Sequence, residues 1–412
     1  MIAGTALLLG ATAGFGSLAA TFRLRRPAEL SFFFMMVGWL VGELAVFHLV
    51  LQAVAVGWLV AVGALHHVAG VIGVALLCAS MVELAFVQRR AGRAASVFEG
   101  ALRSPLGPDP HDMFGLPAST AMSPPRRQAW LPFWFDHRGI EVIANLAYGE
   151  HAKRHRLDVY RPVGTAEGAR LPVVVYLHGG AWVIGNKEQQ GKPMMLHLAR
   201  SGYICVAINY RLAPRDRWPA QIVDVKRAIV WIREHIAEYG GDPSFIAVCG
   251  SSAGGHLAAL TALSAGDAVF QPGFEVADTS VDACVMFYAP FDLTDAAGLR
   301  GRAVMRRFLE RLVMTTRQRD DEATWRAASP QWRLGSHAPP MFVIQGRIDP
   351  LVWREEAHAF VDALARCTGA PVVFAEVPGA QHAFEVFNSV RCRAAIDAVR
   401  RFLDAVRVAT SR

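Results

Sequence analysis

Apolar positions dominate the beginning of the chain, and further along they break into short runs separated by polar turns. From Met1 to Val87 the only charged side chains are Arg23, Arg25, Arg26, Glu29, Glu43 and Glu83. The stretch 30–87 is almost continuously apolar. As one helix rising about 1.5 Å per residue it would reach ~87 Å, far more than the roughly 30 Å of a bilayer core. It must fold back, and the pattern predicts two spans, 31–51 and 66–87, joined by a turn around Gly57 and Trp58. Residues 2–22 carry no charge and are long enough for a third. A secretory signal peptide would place basic residues ahead of its apolar run, and nothing charged precedes Arg23.

Residues 91–138 hold seven prolines and no sustained period, which predicts a linker between a membrane region at 1–90 and a second domain at 139–412. Its end, Trp130 to Phe135, is strongly aromatic. From 139 onward the period alternates between strand and helix. Strands are predicted at 157–160, 172–178, 203–209, 245–249, 283–288, 341–345 and 372–377. Helices are predicted at 192–201, 221–239, 253–264, 355–367 and 390–406, with a helical insertion over 295–338. Near-continuous β-branched runs such as PVVVYL suit strands buried on both faces, and repeated βα units predict an α/β fold with a doubly wound, mostly parallel sheet.

Composition places the apolar excess rather than adding to it. The 412 residues are 53% hydrophobic and 19% charged, with a net charge of +7. That excludes a disordered chain, and scattered arginines without aromatic-basic motifs exclude a nucleic-acid partner. Arg23, Arg25 and Arg26 precede the predicted hairpin; Arg89, Arg90 and Arg93 follow it. Two spans apart, both clusters fall on one side, which the positive-inside rule makes cytoplasmic. The expectation is a multi-pass cell-membrane protein with a cytoplasmic second domain. Six cysteines without CxxC spacing predict neither a disulfide framework nor a zinc site. Glu43, His48, His66, His67 and Glu83 lie at or near membrane depth, where ionisable groups are either functional or pair helices.

The chemistry gathers at strand ends. GSSAG at 250–254 follows a strand and opens a helix, the setting in which G-x-S-x-G presents its serine on a sharp turn. His178, Gly179, Gly180, Ala181 and Trp182 follow the PVVVYL strand. Glycines there leave backbone N–H groups of Gly179 and Gly180 open to a substrate oxygen, and with the N–H of Ala253 they predict an oxyanion hole. His178 is expected to brace that loop. Serine needs a base and the base an orienting carboxylate. In hydrolases with this kind of sheet the order is serine, acid, histidine. Asp349, just past the 341–345 strand, and His382, between the last strand and last helix, fit that order at spacings of 97 and 33 residues. Asp292, His256, His337 and His358 are the competitors, in turn, helix or loop settings. The expected catalytic set is Ser252, Asp349 and His382, with Gly179, Gly180 and Ala253 at the oxyanion, and no cofactor or metal. The insertion carries Arg300, Arg302, Arg306, Arg307, Arg311, Arg317, Arg319 and Arg326, with Val304, Phe308 and Leu312 at helical spacing, and is a candidate lid on an anionic membrane surface.

These motifs, together with NYRLAP at 209–214, GDP at 241–243, Asp349-Pro350 and HAF at 382–384, resemble α/β-hydrolase esterases of the hormone-sensitive-lipase and carboxylesterase type, above all the membrane-anchored actinobacterial Lip-type esterases. The resemblance covers roughly 140–406 and implies an α/β-hydrolase fold behind an N-terminal transmembrane region. It implies a carboxylesterase or lipase acting on small-molecule or lipid esters through an acyl-serine. Two departures bear on substrate. The family often has a third glycine where this chain has Ala181, a pattern similar to kynurenine formamidases, and an acidic residue where it has Ser251. An amide hydrolase using the same triad is therefore the alternative, with a non-catalytic membrane scaffold as the other.

Overall fold

A computed structural model describes residues 1–25, 27–106, 131–299 and 303–410. One eight-stranded sheet organises the second half: β1 (Ile140–Ala147), β2 (Arg156–Pro162), β3 (Leu171–Leu177), β4 (Ile204–Ile208), β5 (Gly241–Ser251), β6 (Ala283–Phe287), β7 (Met341–Gly346) and β8 (Val372–Val377), in the spatial order β1-β2-β4-β3-β5-β6-β7-β8. β1 and β2 run antiparallel to their neighbours, and every pairing from β4 to β8 is parallel. Strand alternation feeds two cores. Val173, Val175 and Leu177 bury into one face, and Val174 and Tyr176 into the other. Covering both faces buries the whole of β3 and β4 apart from Leu171, with each fully buried Val or Leu contributing about 1.5–3 kcal/mol.

The expected strands are present, some longer than predicted, and the sheet gains β1. This is an edge strand that exposes five of its eight residues, so it lacks the continuous apolar run of the central strands. The 91–138 linker needs a larger correction. Ala94–Leu106 form a helix whose Ala94, Phe98 and Leu102 are buried in one of the two cores of the sheet, so this part of 91–138 is not linker. Their i, i+4, i+8 spacing is an amphipathic signal masked by the prolines beyond it. Much of the remaining linker, including Trp130, lies outside the described residues.

At the N-terminus, α1 (Ile2–Thr21), α2 (Ala28–Glu43), α3 (Ala45–Ala61) and α4 (Val68–Gly92) lead into α5 (Ala94–Leu106). By length and composition Ile2–Thr21 and Val68–Arg103 can cross a membrane. The predicted 31–51 span is not one helix: Leu30–Glu43 and Ala45–Ala61 meet at 83°. Nor does the chain turn at Gly57 and Trp58, which lie inside α3; it reverses at Gly63 and the short 3-10 turn Ala64–His66. Glu83 proves to be a helix-pairing group, accepting hydrogen bonds from Ser17 Oγ at 2.7 Å and Thr21 Oγ1 at 2.6 Å on α1.

Five further helices complete the second domain around the sheet: α6 (Lys192–Arg200), α7 (Ala220–His235), α8 (Ala253–Leu263), α11 (Arg354–Cys367) and α12 (Val390–Thr410). The arginine-rich insertion holds α9 (Ala303–Phe308), a π turn (Leu309–Val313) and α10 (Glu322–Ala327). It is packed down rather than raised. Leu309, Val313 and Trp325 are buried in the core on one face of the sheet, and Trp218 N–H donates to Val313 O at 2.9 Å. Val304 points to the exterior, and Arg300 and Arg302 lie outside the described residues.

Candidate active site

Ser252 joins β5 to α8 at φ 54° and ψ −119°, a backbone conformation that a non-glycine residue holds only when its surroundings impose it. The imposition is a close crossing: a Cβ on Gly254 would stand 2.0 Å from the carbonyl oxygen of Leu177 at the end of β3. Only glycine admits α8 so near the strand. Ser252 N–H donates to Phe287 O at 2.9 Å, pinning the turn to β6 as well.

The loops after β7 and β8 bring two more groups to this turn. His382 Nε2 lies 3.0 Å from Ser252 Oγ, and His382 Nδ1 lies 2.7 Å from Asp349 Oδ2. Asp349 is fully buried, and its other oxygen accepts from the N–H groups of Leu351 at 2.8 Å and Val352 at 3.0 Å. The carboxylate is fixed in direction, and the imidazole bridges it to the hydroxyl. The competitors are occupied elsewhere. Asp292 caps its own turn at Thr294 N–H and Ala296 N–H, His256 binds Ala328 O, His337 binds Leu263 O and His358 binds Glu376.

The loop after β3 winds through three successive residues of positive φ: Gly180 at 119°, Ala181 at 52° and Trp182 at 62°. One expectation fails here. Gly179 N–H is not open to a substrate, because it donates to Gln190 Oε1 at 2.7 Å. The N–H groups of Gly180, Ala181 and Ala253 donate to no other group among the described residues. Ala181 thus presents a third open N–H, which a search for glycines does not reveal. His178 braces the loop as expected. Its Nδ1 bonds Gly179 O at 2.8 Å, its ring stacks on Tyr210 at 4.3 Å, and Tyr210 OH donates to its carbonyl at 2.7 Å. Burial pushes this imidazole down to about 4, so it is neutral at ordinary pH.

A carboxyl group also lies behind the turn. Ser251 Oγ donates to Glu385 Oε1 at 2.7 Å, Tyr288 OH donates to the same oxygen, and Tyr176 OH lies 3.1 Å from Ser251 Oγ. Burial raises the Glu385 carboxyl above the ordinary range. Where the resembled esterases carry an acid next to the nucleophilic serine, this chain brings one from the His382 loop. The ring of Tyr288 lies 4.3 Å from that of His382. Among the described residues no cluster of three or more His, Cys, Asp or Glu side chains is placed to hold a metal ion.

Comparison with known proteins assigns the scaffold. The BD-FAE family model matches residues 157–364. Esterase LipQ of Mycobacterium tuberculosis is 43% identical over 77% of this chain and 76% of its own length. The chain belongs to the α/β-hydrolase esterases. It is of the hormone-sensitive-lipase and carboxylesterase type, and it is a carboxylic ester hydrolase. The likeness reaches beyond the sheet. LipM of the same organism, called a probable carboxylic ester hydrolase, is 40% identical over 94% of this esterase and 91% of its own chain. Among solved structures, butyrate-bound esterase 2 of Thermogutta terrifontis superposes with a TM-score of 0.53 at 26% identity, covering 65% of this chain and 92% of that one. The same Thermogutta esterase is also known phosphoramylated by tabun, with a TM-score of 0.53 at 25% identity, covering 65% of this chain and 95% of that one.

Proposed function

We propose that this esterase cleaves carboxylic esters through an acyl-serine, with Ser252 as nucleophile, His382 as general base and then general acid, and Asp349 as the group that orients the imidazole. The observation that carries the reading is the unbroken run from Ser252 Oγ through both ring nitrogens of His382 to Asp349 Oδ2, at 3.0 and 2.7 Å. His382 takes the hydroxyl proton as Ser252 Oγ attacks the carbonyl carbon. The oxyanion forms against the N–H groups of Gly180, Ala181 and Ala253, each such donor contributing about 10²–10³ in rate. The alcohol leaves with the proton from His382, and water then releases the acid by the same route. Ser252→Ala tests the assignment: turnover of a short-chain aryl ester and labelling by a fluorophosphonate should both vanish, and a variant hydrolysing at the parental rate overturns it. Turnover of an N-formyl aryl amide, run alongside, decides between ester and amide preference.

The enzyme works at a membrane, with α1 and α4 crossing it, α2 and α3 as a bent pair, and the hydrolase on the cytoplasmic side. Leu8, Phe33, Leu51, Val54, Val68 and Val82 are large, apolar and outward-facing on these helices, as lipid contact requires and water penalises. Arg23 and Arg25 reach Glu355, and Arg90 packs beside Gly379, so both basic clusters lie on the hydrolase side. Membrane-embedded or lipid-like esters are the matching substrate class. Extraction by alkaline carbonate tests the anchoring: a protein released without detergent refutes it.

A further inference from the structure

The apolar helices do more than stand beside the hydrolase: they grip the segment that carries His382. The residue before it, Gln381, is buried and donates from Nε2 to Ala19 O on α1 at 3.0 Å. The residue after it, Ala383, accepts at its carbonyl from Trp39 Nε1 on α2 at 2.8 Å. Ala383 has φ 62°, a conformation that needs external support in a residue with a side chain. The Trp39 ring also stacks on Phe387 at 4.6 Å, and Glu43 at the end of α2 pairs with Arg391 at 2.9 Å, both side chains buried. Arg391 Nε in turn donates to Pro378 O at 3.1 Å, at the near end of the same loop. The acid loop is approached likewise. Arg23 and Arg25 pair with Glu355 and lie over the ring of Trp353, whose Nε1 donates to the carbonyl of Pro350, next to Asp349.

We propose that α1 and α2 form part of the catalytic apparatus, and that Trp39 and Gln381 are positioning residues that hold His382 at Ser252 from its two flanks. The proposal rests on reading His382 as the base. A general base must sit within hydrogen-bond reach of the proton it takes, and a misplacement near 1 Å can lower a rate about 100-fold. Ala19 and Gln381 are buried, where a hydrogen bond holds its geometry more firmly than in water. Two donors on opposite sides of one residue fix both its position and the direction in which its ring faces. Catalysis therefore depends on the assembly of the helices, and so on the lipid or detergent around them.

The test uses the full-length enzyme in lipid nanodiscs with a water-soluble short-chain p-nitrophenyl ester, and active sites are counted by fluorophosphonate titration. Trp39→Phe keeps an aromatic ring on Phe387 and removes the N–H. Gln381→Met keeps the length, removes the donor to Ala19 O, and also removes a buried amide oxygen that has no partner. Each should lower kcat per titrated site about five- to twentyfold with KM unchanged, and shift the acidic limb of the pH profile of kcat/KM. Should Trp39→Phe fail to fold, Gln381→Met carries the test alone. A kcat per site within twofold of the parent overturns the proposal, and so does a loss confined to the number of titratable sites, which is what a merely structural role produces. His382→Ala separates the two layers. Parental activity in that variant refutes the base assignment itself; an inactive His382→Ala beside unaffected Trp39→Phe and Gln381→Met refutes only the positioning.

Discussion

Asp349→Asn tests the proposed triad through a single proton. Asp349 Oδ1 accepts two backbone N–H bonds, from Leu351 at 2.8 Å and Val352 at 3.0 Å, while Oδ2 faces His382 Nδ1 at 2.7 Å. An asparagine there can orient its amide in two ways. With NH2 toward Leu351 and Val352, two hydrogen bonds worth about 1 kcal/mol each are lost and donors face donors. The carbonyl oxygen therefore takes the Oδ1 position, and NH2 is left against His382 Nδ1. The imidazole must then present a lone pair at Nδ1 and carry its proton on Nε2, the nitrogen 3.0 Å from Ser252 Oγ. That nitrogen can no longer accept the serine proton. The expected loss is about 10⁴ in kcat, or ~5.5 kcal/mol of transition-state stabilisation, with KM and thermal unfolding close to the parent because volume and backbone bonds are kept. Initial rates on a p-nitrophenyl ester, normalised to folded protein, measure it. A folded Asp349→Asn enzyme retaining more than a tenth of the parental kcat refutes the tautomer argument.

Gly254→Ala forces a Cβ to within 2.0 Å of Leu177 O; we expect at least a 100-fold loss of kcat and a lower unfolding temperature, and parental activity would show that α8 can retreat. Glu385→Leu strands the buried hydroxyls of Ser251 and Tyr288 and should destabilise by about 2–5 kcal/mol in denaturant unfolding, whereas Glu385→Gln keeps an acceptor and should stay within about 1 kcal/mol; equal stabilities would contradict the network. Burial pushes His178 and His197 down to about 4 from an ordinary 6.5, so between those values the unfolded chain binds protons that the folded one refuses. Stability is present above pH 6.5 and falls as pH drops toward 4; a His197→Gln protein whose unfolding midpoint declines as steeply as the parent's over that window would count against His197 as a source.

The sheet was readable because strands buried on both faces must be apolar throughout, as β3 and β4 are, and because turns between them carry polar punctuation. β1 escaped because an edge strand has no such requirement. That Ser252, Asp349 and His382, the residues of the proposed triad, would come together was legible from their places at strand ends, which the order of elements sets without any distance. The proposed oxyanion donors were only partly legible. Which N–H stays open depends on Gln190, eleven residues past Gly179, and on the left-handed turn at Ala181. Glu385 offered no local signal at all, since its partners Ser251 and Tyr288 are brought to it by β5 and β6. Hydropathy is a scalar, so it fused α2 and α3 across Leu44 although their directions differ by 83°.

Two of the acidic residues in the apolar helices show why those helices and the enzyme are not separable units. Glu83 is answered inside the bundle by Ser17 and Thr21 on α1, which ties helix to helix. Glu43 finds its counter-charge outside the bundle, at Arg391 of the hydrolase, with both side chains buried. Desolvating two charges consumes most of what their attraction returns, so such a pair adds little net stability, yet losing one partner is severely destabilising. A contact with that profile acts less as glue than as a register. It tolerates one placement of α2 on the hydrolase, and that placement sets Trp39 against Ala383 and Gly38 against Ala19 and Gln381. A buried ion pair between the apolar helices and the hydrolase thereby selects the geometry at His382, and under the proposed function the seating of the helices and the competence of His382 to abstract a proton become two consequences of one packing arrangement.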